Sequence, residues 1–188
     1  MIKTCTKLIE KRCSKYDLLT RLYGLYYKNL VKKEIKLANV KSCDKVLCIG
    51  GGAIPCTAIE FAKQTNAQIH VVDMDDTAVE CARCVVKKLG LDDKITVISG
   101  KGEEIDIEPY DVIHVALQVS PKEKVLENIW ERSKEGNRII VRMPRKRLRS
   151  FYSNISDDFI KENVKEVKSI SVGNKPSTMD EILLMEKI

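Results

Sequence analysis

Three consecutive glycines, Gly50, Gly51 and Gly52, set between two short apolar runs, constrain this chain more than any other stretch. Val46, Leu47, Cys48 and Ile49 precede them, a helical stretch follows from about Ile54, and a second apolar run, Ile69 to Val72, ends on Asp73. The order strand, glycine turn, helix, strand, acid is the opening unit of a doubly wound α/β sheet, in which the carboxyl ends of the strands form the working edge. Glycine suits such a turn because it accepts positive φ without steric cost and lets other groups approach the backbone closely. Pro55 stands where the helix should begin, a position at which its missing N–H costs nothing.

The turn reads G-G-G-x-x-P. The dinucleotide form G-x-G-x-x-G fails at its third glycine, where Pro55 would obstruct the helix approach to a pyrophosphate, and no Gly-Lys-Ser/Thr follows to hold a triphosphate. Asp73 lies about twenty residues beyond the glycines, where a carboxylate accepts hydrogen bonds from a ribose diol. These residues predict an adenosine ligand without phosphates, S-adenosylmethionine being the common one. The alternative is a tight turn with no ligand.

The 188 residues suffice for one domain of ordinary size with an appendage. No apolar run approaches the roughly twenty residues of a membrane span, and the opening MIKTCTKLIEKRCSK lacks the apolar core of a secretory signal. The seven cysteines lie mostly inside apolar runs, as expected of reduced thiols in a cytoplasmic protein. Charge is uneven: residues 1–45 hold twelve Lys/Arg against four Asp/Glu, a net of +8 within an overall +6. Such a basic segment is either a solvated helix surface or a face for nucleic acid or an acidic metabolite.

Residues 3–38 read as helical, with Leu8, Leu18, Leu22, Leu25, Leu30, Ile35 and others at three- and four-residue spacings, and Gly24 as a break. This segment should pack across the carboxyl edge of the sheet, bringing four of the six tyrosines, Tyr16, Tyr23, Tyr26 and Tyr27, beside the glycine turn. A third strand is predicted at Ile95 to Ile98 and a fourth, apolar throughout, at Asp111 to Val119. A fifth runs from Arg138 to Met143. Helices are expected from Asp76 to Leu89, capped by Asp76 or Thr77 and stopped by Gly90, from Pro121 to about Lys134, and over 156–166. Segments 167–172 and 181–187 read as an antiparallel edge pair. The expected architecture is an N-terminal helical flap, residues 1–40, on an α/β domain, residues 41–188, built on a doubly wound, mostly parallel, seven-stranded sheet.

The glycine–proline turn, the Asp73 strand and the terminal hairpin resemble class I S-adenosylmethionine-dependent methyltransferases, which are Rossmann-like, over about residues 40–188. A closer resemblance is to nicotianamine synthases. CIGGGAIPCTAI resembles their G-x-G-P-x-P-x-T turn, VVDMDDTAVECAR their second-strand acid segment, and YDVIHVALQVSPKEKV their fourth strand with its lysine-bearing helix start. YKNLVKKE, Tyr27 to Glu34, resembles a Y-x-N-L/Y-x-x-x-E helix that ordinary methyltransferases do not share. What this resemblance implies is transfer of a 3-amino-3-carboxypropyl group from S-adenosylmethionine to the amine of a small amino-acid-like substrate. Asp73 would hold the ribose and Gly50–Gly52 the cofactor backbone, with Lys101, Gly102, Ala116 and Leu117 lining the adenine. Ile54, Pro55, Met74 and Gln118 complete the cofactor-binding set. Tyr27 would close over the methionine end, with Tyr23 as the second catalytic candidate. A tyrosine is a poor base at pH 7, and an amine that sheds its proton after attack needs little base.

The remaining constellations have plainer readings. Cys81 and Cys84 form a C-x-x-C on a predicted helix and lack the further ligands zinc requires, so no metal is expected. His114 inside the fourth strand is either a satisfied core histidine or a catalytic group. RMPRKRLR, Arg142 to Arg149, is a solvated loop or a carboxylate or phosphate grip near the active edge. Three readings remain open: the alkyl transfer just described, methyl transfer to a small molecule or RNA, and a non-catalytic module that binds the cofactor without turnover. Completion of the site across a homodimer is a further expectation, and no membrane association is expected.

Overall fold

The computed structural model describes residues 26–153, 155–164, 167–172 and 178–187. A helix over 26–37 (α1) precedes β1 (Lys45–Ile49), α2 (Cys56–Thr65), β2 (Gln68–Asp73), α3 (Asp76–Lys88) and β3 (Ile95–Ser99). There follow β4 (Val112–Val115), α4 (Lys122–Arg132), β5 (Arg138–Pro144), a 3₁₀ turn at Lys146–Phe151, α5 (Asp157–Asn163), β6 (Val167–Ser171) and β7 (Met179–Glu186). The seven strands form one sheet in the order β3-β2-β1-β4-β5-β7-β6, parallel through β5, with β7 antiparallel to both its neighbours. This is the expected doubly wound, mostly parallel, seven-stranded arrangement.

Strand alternation divides the core into two layers. Val46 and Cys48 of β1, with Ile69 and Val71 of β2, pack against Leu30 and Val31 of α1, Phe61 and Ala62 of α2, and Val79 and Val85 of α3. Leu47, Ile49 and Val115 face the other way, onto Leu126, Ile129 and Trp130 of α4 and Phe159 of α5. Parallel pairing aligns Ile49 with Val72 and with Val115, so β1, β2 and β4 end together and their following loops converge on one edge.

Several local expectations change. Strand β4 stops at Val115, four residues short of the predicted Val119. The ladder makes one more bond, from Ala116 N–H to the Ile49 carbonyl at 3.1 Å, and the chain then turns, with Val119 N–H on the Ala116 carbonyl at 3.3 Å. The apolar residues beyond Val115 are therefore loop, half-buried beside the glycine turn. The cap of α3 is Asp75, one residue before the expected pair, its carboxylate accepting from Thr77 N–H and Ala78 N–H. Pro55 occupies the N-cap of α2, with the helix starting at Cys56. The expected antiparallel edge pair does form: β7 pairs with β5 on one side and β6 on the other, so β6 is the outer strand at that end of the sheet. Of the basic run, Arg142, Met143 and Pro144 belong to β5, with Arg142 buried, while the rest turns through a 3₁₀ segment in which no residue is buried, as the solvated reading expects.

Of the helical segment expected over 3–38, residues 26–37 are helical; Tyr16, Tyr23 and Gly24 lie outside the described residues. Helix α1 buries Leu30, Val31 and Glu34 in the same layer as α2. Its N-terminal end reaches the carboxyl edge of the sheet, where Tyr26 and Tyr27 stand edge to face with ring centres 5.4 Å apart. Its C-terminal carbonyls, Ala38 and Asn39, accept from Arg138 at the opposite end of β5. No disulfide joins the five described cysteines; Cys81 is buried in α3 and Cys84 half-buried. Among the described residues no helix is long and apolar enough to cross a membrane, and no cluster of His, Cys, Asp and Glu is placed to hold a metal ion.

Candidate active site

The converging strand ends enclose a cavity of about 670 Å³. Its floor is the glycine turn. Gly50 takes φ +84° and Gly52 φ +63°, left-handed values that favour glycine. Gly51 is required for proximity instead, since a Cβ there would lie 2.1 Å from Cγ1 of Val71 on β2. The Gly50 and Gly51 N–H groups bond to the Val72 carbonyl, at 2.8 and 3.3 Å. Asp73 fastens the turn from the neighbouring strand: its Oδ2 accepts from Gly52 N–H at 2.7 Å and its Oδ1 from Asp75 N–H at 3.1 Å. Each carboxylate oxygen keeps further acceptor capacity toward the cavity.

Of the residues singled out from sequence, Tyr27, Gly50, Gly51, Gly52, Ile54, Pro55, Asp73, Met74, Gly102, Ala116, Leu117 and Gln118 all line this cavity. Lys101 is not brought to it; its Nζ pairs with Glu104 at 2.8 Å on the surface, while Glu103 lines the wall. Tyr23 lies outside the described residues.

One wall depends on a buried lysine. Lys122, at the start of α4, is fully buried, and its Nζ donates to the carbonyls of Ala116 (2.9 Å), Leu117 (3.1 Å) and Arg142 (3.4 Å). Burial brings its ammonium down to about 8. One side chain thus pins the end of β4 to β5 and fixes the loop that lines the cavity. Replacing Lys122 by Met should leave the domain folded but release those carbonyls, and calorimetry should show nucleoside affinity falling about tenfold.

Beside the cavity, reaching its lining through Tyr27, Thr57, His114 and Arg142, lies a charged cluster that sequence reasoning did not assemble. Arg142 donates through Nε to Glu34 Oε1 (2.7 Å), through Nη2 to Glu34 Oε2 (2.9 Å) and through Nη1 to Thr57 Oγ1 (3.0 Å). His114 Nε2 lies 3.4 Å from Glu34 Oε1, and its Nδ1 has no partner among the described residues. The guanidinium stacks over Tyr27, 5.4 Å from the ring centre. Glu34 is wholly buried and Arg142 nearly so. Burial alone would raise the Glu34 carboxyl, but Arg142 and His114 bring it down to about 2. Burial and Arg142 together keep His114 below the usual imidazole range, against the pull of Glu34. Burial also raises the Tyr27 phenol, against the pull of Arg142, so the hydroxyl stays protonated at neutral pH and is available as a donor. The available signal was the YKNLVKKE spacing: Tyr27, Leu30, Val31 and Glu34 share one helical face, so a carboxylate on the core side of α1 demanded a cation opposite.

The sequence model of the family described as "Nicotianamine synthase protein" matches residues 13–183. Among curated proteins, the chain is 31% identical over 120 residues to an L-histidine 2-aminobutanoyltransferase of Yersinia pestis, covering 64% of this chain and 45% of that protein. A protein of the same name from Pseudomonas aeruginosa is 26% identical over 114 residues, covering 60% and 43%. The chain thus spans less than half the length of these relatives. Among solved structures, a variant of MtNAS in complex with S-adenosylmethionine superposes with a TM-score of 0.77 at 23% identity, covering 100% of this chain and 75% of that one. MtNAS in complex with MTA and tNA gives 0.74 at 26% identity, covering 98% and 69%. A putative S-adenosylmethionine-dependent methyltransferase from Methanococcus maripaludis gives 0.68 at 18% identity, covering 94% and 92%.

Proposed function

Because this chain belongs to the nicotianamine synthase family, we propose that it transfers the 3-amino-3-carboxypropyl group of S-adenosylmethionine to the amine of an amino-acid-like acceptor. The observation that carries this reading is the meeting, in one cavity, of an Asp73-fastened glycine turn with the Tyr27–Glu34 face of α1. The first is a nucleoside cradle; the second gives the far wall a phenol and a guanidinium, suited to an amino-acid group. The cavity volume falls in the range of small-ligand sites, and Asp73 has acceptor capacity to spare where a ribose diol would lie.

When bound, the sulfonium activates the carbons attached to it, Cγ of the methionine chain among them. The protein supplies position. Asp73 and the glycine turn fix the nucleoside end, and the Ala116–Leu117 loop, held by Lys122, walls the base. Tyr27 donates a hydrogen bond at the far end, where an acceptor nitrogen must be held about 3–3.5 Å from Cγ for in-line attack. An amine lone pair forms the N–Cγ bond as the Cγ–S bond breaks, and the electron pair stays on sulfur. The nitrogen then loses one proton to solvent, and methylthioadenosine leaves. No strong base is required, which fits a site whose phenol stays protonated.

The test is incubation with S-adenosylmethionine and a panel of amino acids that includes L-histidine. The expected nucleoside product is methylthioadenosine. S-adenosylhomocysteine as the product would assign methyl transfer and overturn the reading.

A further inference from the structure

We infer that Arg142 is a carboxylate-binding residue of this cavity, holding the α-carboxylate of an amino-acid group through the N–H donors that its structural contacts leave unspent. The inference rests on the functional reading above and adds to it the atom that recognises the amino-acid end.

A guanidinium carries one N–H on Nε and a pair on each terminal nitrogen. Nε and Nη2 each spend one on Glu34, and Nη1 spends one on Thr57. Among the described residues, one N–H therefore remains on each terminal nitrogen, and a planar pair of donors matches a carboxylate in two-pronged fashion. Arg142 lines the cavity although its side chain is only 4% exposed, so the remaining donors have little access to bulk water. Buried donors left unmade are costly, and a ligand oxygen would satisfy these.

The surroundings favour this cation as the anchor. Glu34 locks the side chain from behind, Tyr27 covers it with a ring face and Thr57 fixes Nη1, so the fork is held in place before a ligand arrives. Preorganised donors lose less freedom on binding than mobile ones. Lys122, the other buried cation among the described residues, has its ammonium committed to three carbonyls. An α-carboxylate occurs both on the methionine tail of the cofactor and on an amino-acid acceptor. The chemistry recognised is the same in either case.

Two ligand pairs separate these sources: S-adenosylmethionine against its decarboxylated form, and L-histidine against L-histidinamide. Each is measured with wild type, Arg142→Gln and Glu34→Gln, by calorimetry for the cofactor pair and by KM for the acceptor pair. Wild type should prefer the carboxylate form at least about tenfold in one pair. Arg142→Gln should abolish that preference, whereas Glu34→Gln, which keeps the guanidinium and removes the competing anion, should keep or increase it. The pair that loses its preference identifies the source. If Arg142→Gln does not fold, the Glu34→Gln/Arg142→Gln double variant, which leaves no charge buried at the pair, takes its place. No preference in wild type, a preference that survives loss of Arg142, or equal damage from both single variants would overturn the inference. Methylthioadenosine has no carboxylate and should bind every folded variant alike. Its failure to bind wild type would sink the functional reading itself; its binding without any carboxylate preference would sink only the role of Arg142.

Discussion

Glu34→Ala should be the most destabilising single substitution at the site, lowering unfolding free energy by about 3–5 kcal/mol. The carboxylate is wholly buried and accepts both prongs of Arg142. Its removal leaves a buried guanidinium without its anion beside an apolar layer that includes Leu30, Val31, Phe61 and Ile140. Against a total stability of about 5–15 kcal/mol for an ordinary domain, that is a large fraction. The check is a urea titration, with the midpoint falling at unchanged slope. Glu34→Gln, which keeps a hydrogen-bond acceptor opposite Arg142, should lose markedly less.

Acidification should do gradually what the alanine does at once. The Glu34 carboxyl sits at about 2 in the folded protein against an ordinary 4.5. A depressed carboxyl stabilises the fold fully above its unfolded value and loses that contribution as pH falls from 4.5 through 2. The contribution is on the order of 3 kcal/mol. His114 acts in the same direction: buried and held below the imidazole range, it resists protonation, so stability also declines as pH drops below 6.5. Glu34→Ala should remove the carboxyl part of this acid dependence, which stability measured from pH 7 to pH 2 would show as a shallower fall.

The second large effect is on binding. Asp73→Ala should reduce affinity for S-adenosylmethionine and methylthioadenosine at least about a hundredfold, since charge-assisted hydrogen bonds contribute about 1.5–3 kcal/mol each and a ribose diol offers two hydroxyls. The substitution also frees Gly52 N–H, the tie between turn and strand. Asp73→Asn separates these contributions. Its amide oxygen can still hold Gly52, but it offers the diol only one acceptor, so affinity should fall to an intermediate value. Wild-type affinity in the asparagine variant would assign Asp73 to the turn alone.

The nucleoside side of the site was legible because it is written in consecutive residues. Gly50–Gly52 declare backbone conformation directly, Asp73 ends an apolar run that could only be a buried strand, and both lie within one βαβ unit. Strand boundaries were less legible where apolar loop and apolar strand look alike, as between Ala116 and Val119. The charged side of the cavity was hidden for a different reason. Glu34 and Arg142 are 108 residues apart, and Glu34 and His114 are 80 apart. Each was read in isolation, Glu34 as the acid closing a helix motif, Arg142 as the first of a basic loop and His114 as a residue inside a strand. Only the order β1-β4-β5 and the placement of α1 over those strands bring them together. Lys122 was visible as a helix-start lysine, but its three carbonyl partners depend on the turn after β4.

The account stands or falls on whether the cavity above Gly50–Gly52 is a nucleoside site. Titration calorimetry of methylthioadenosine into folded wild-type protein tests this without requiring turnover or knowledge of the acceptor. Saturable one-to-one binding is the predicted result. No heat with methylthioadenosine, S-adenosylmethionine or S-adenosylhomocysteine, on protein that unfolds cooperatively, would contradict it.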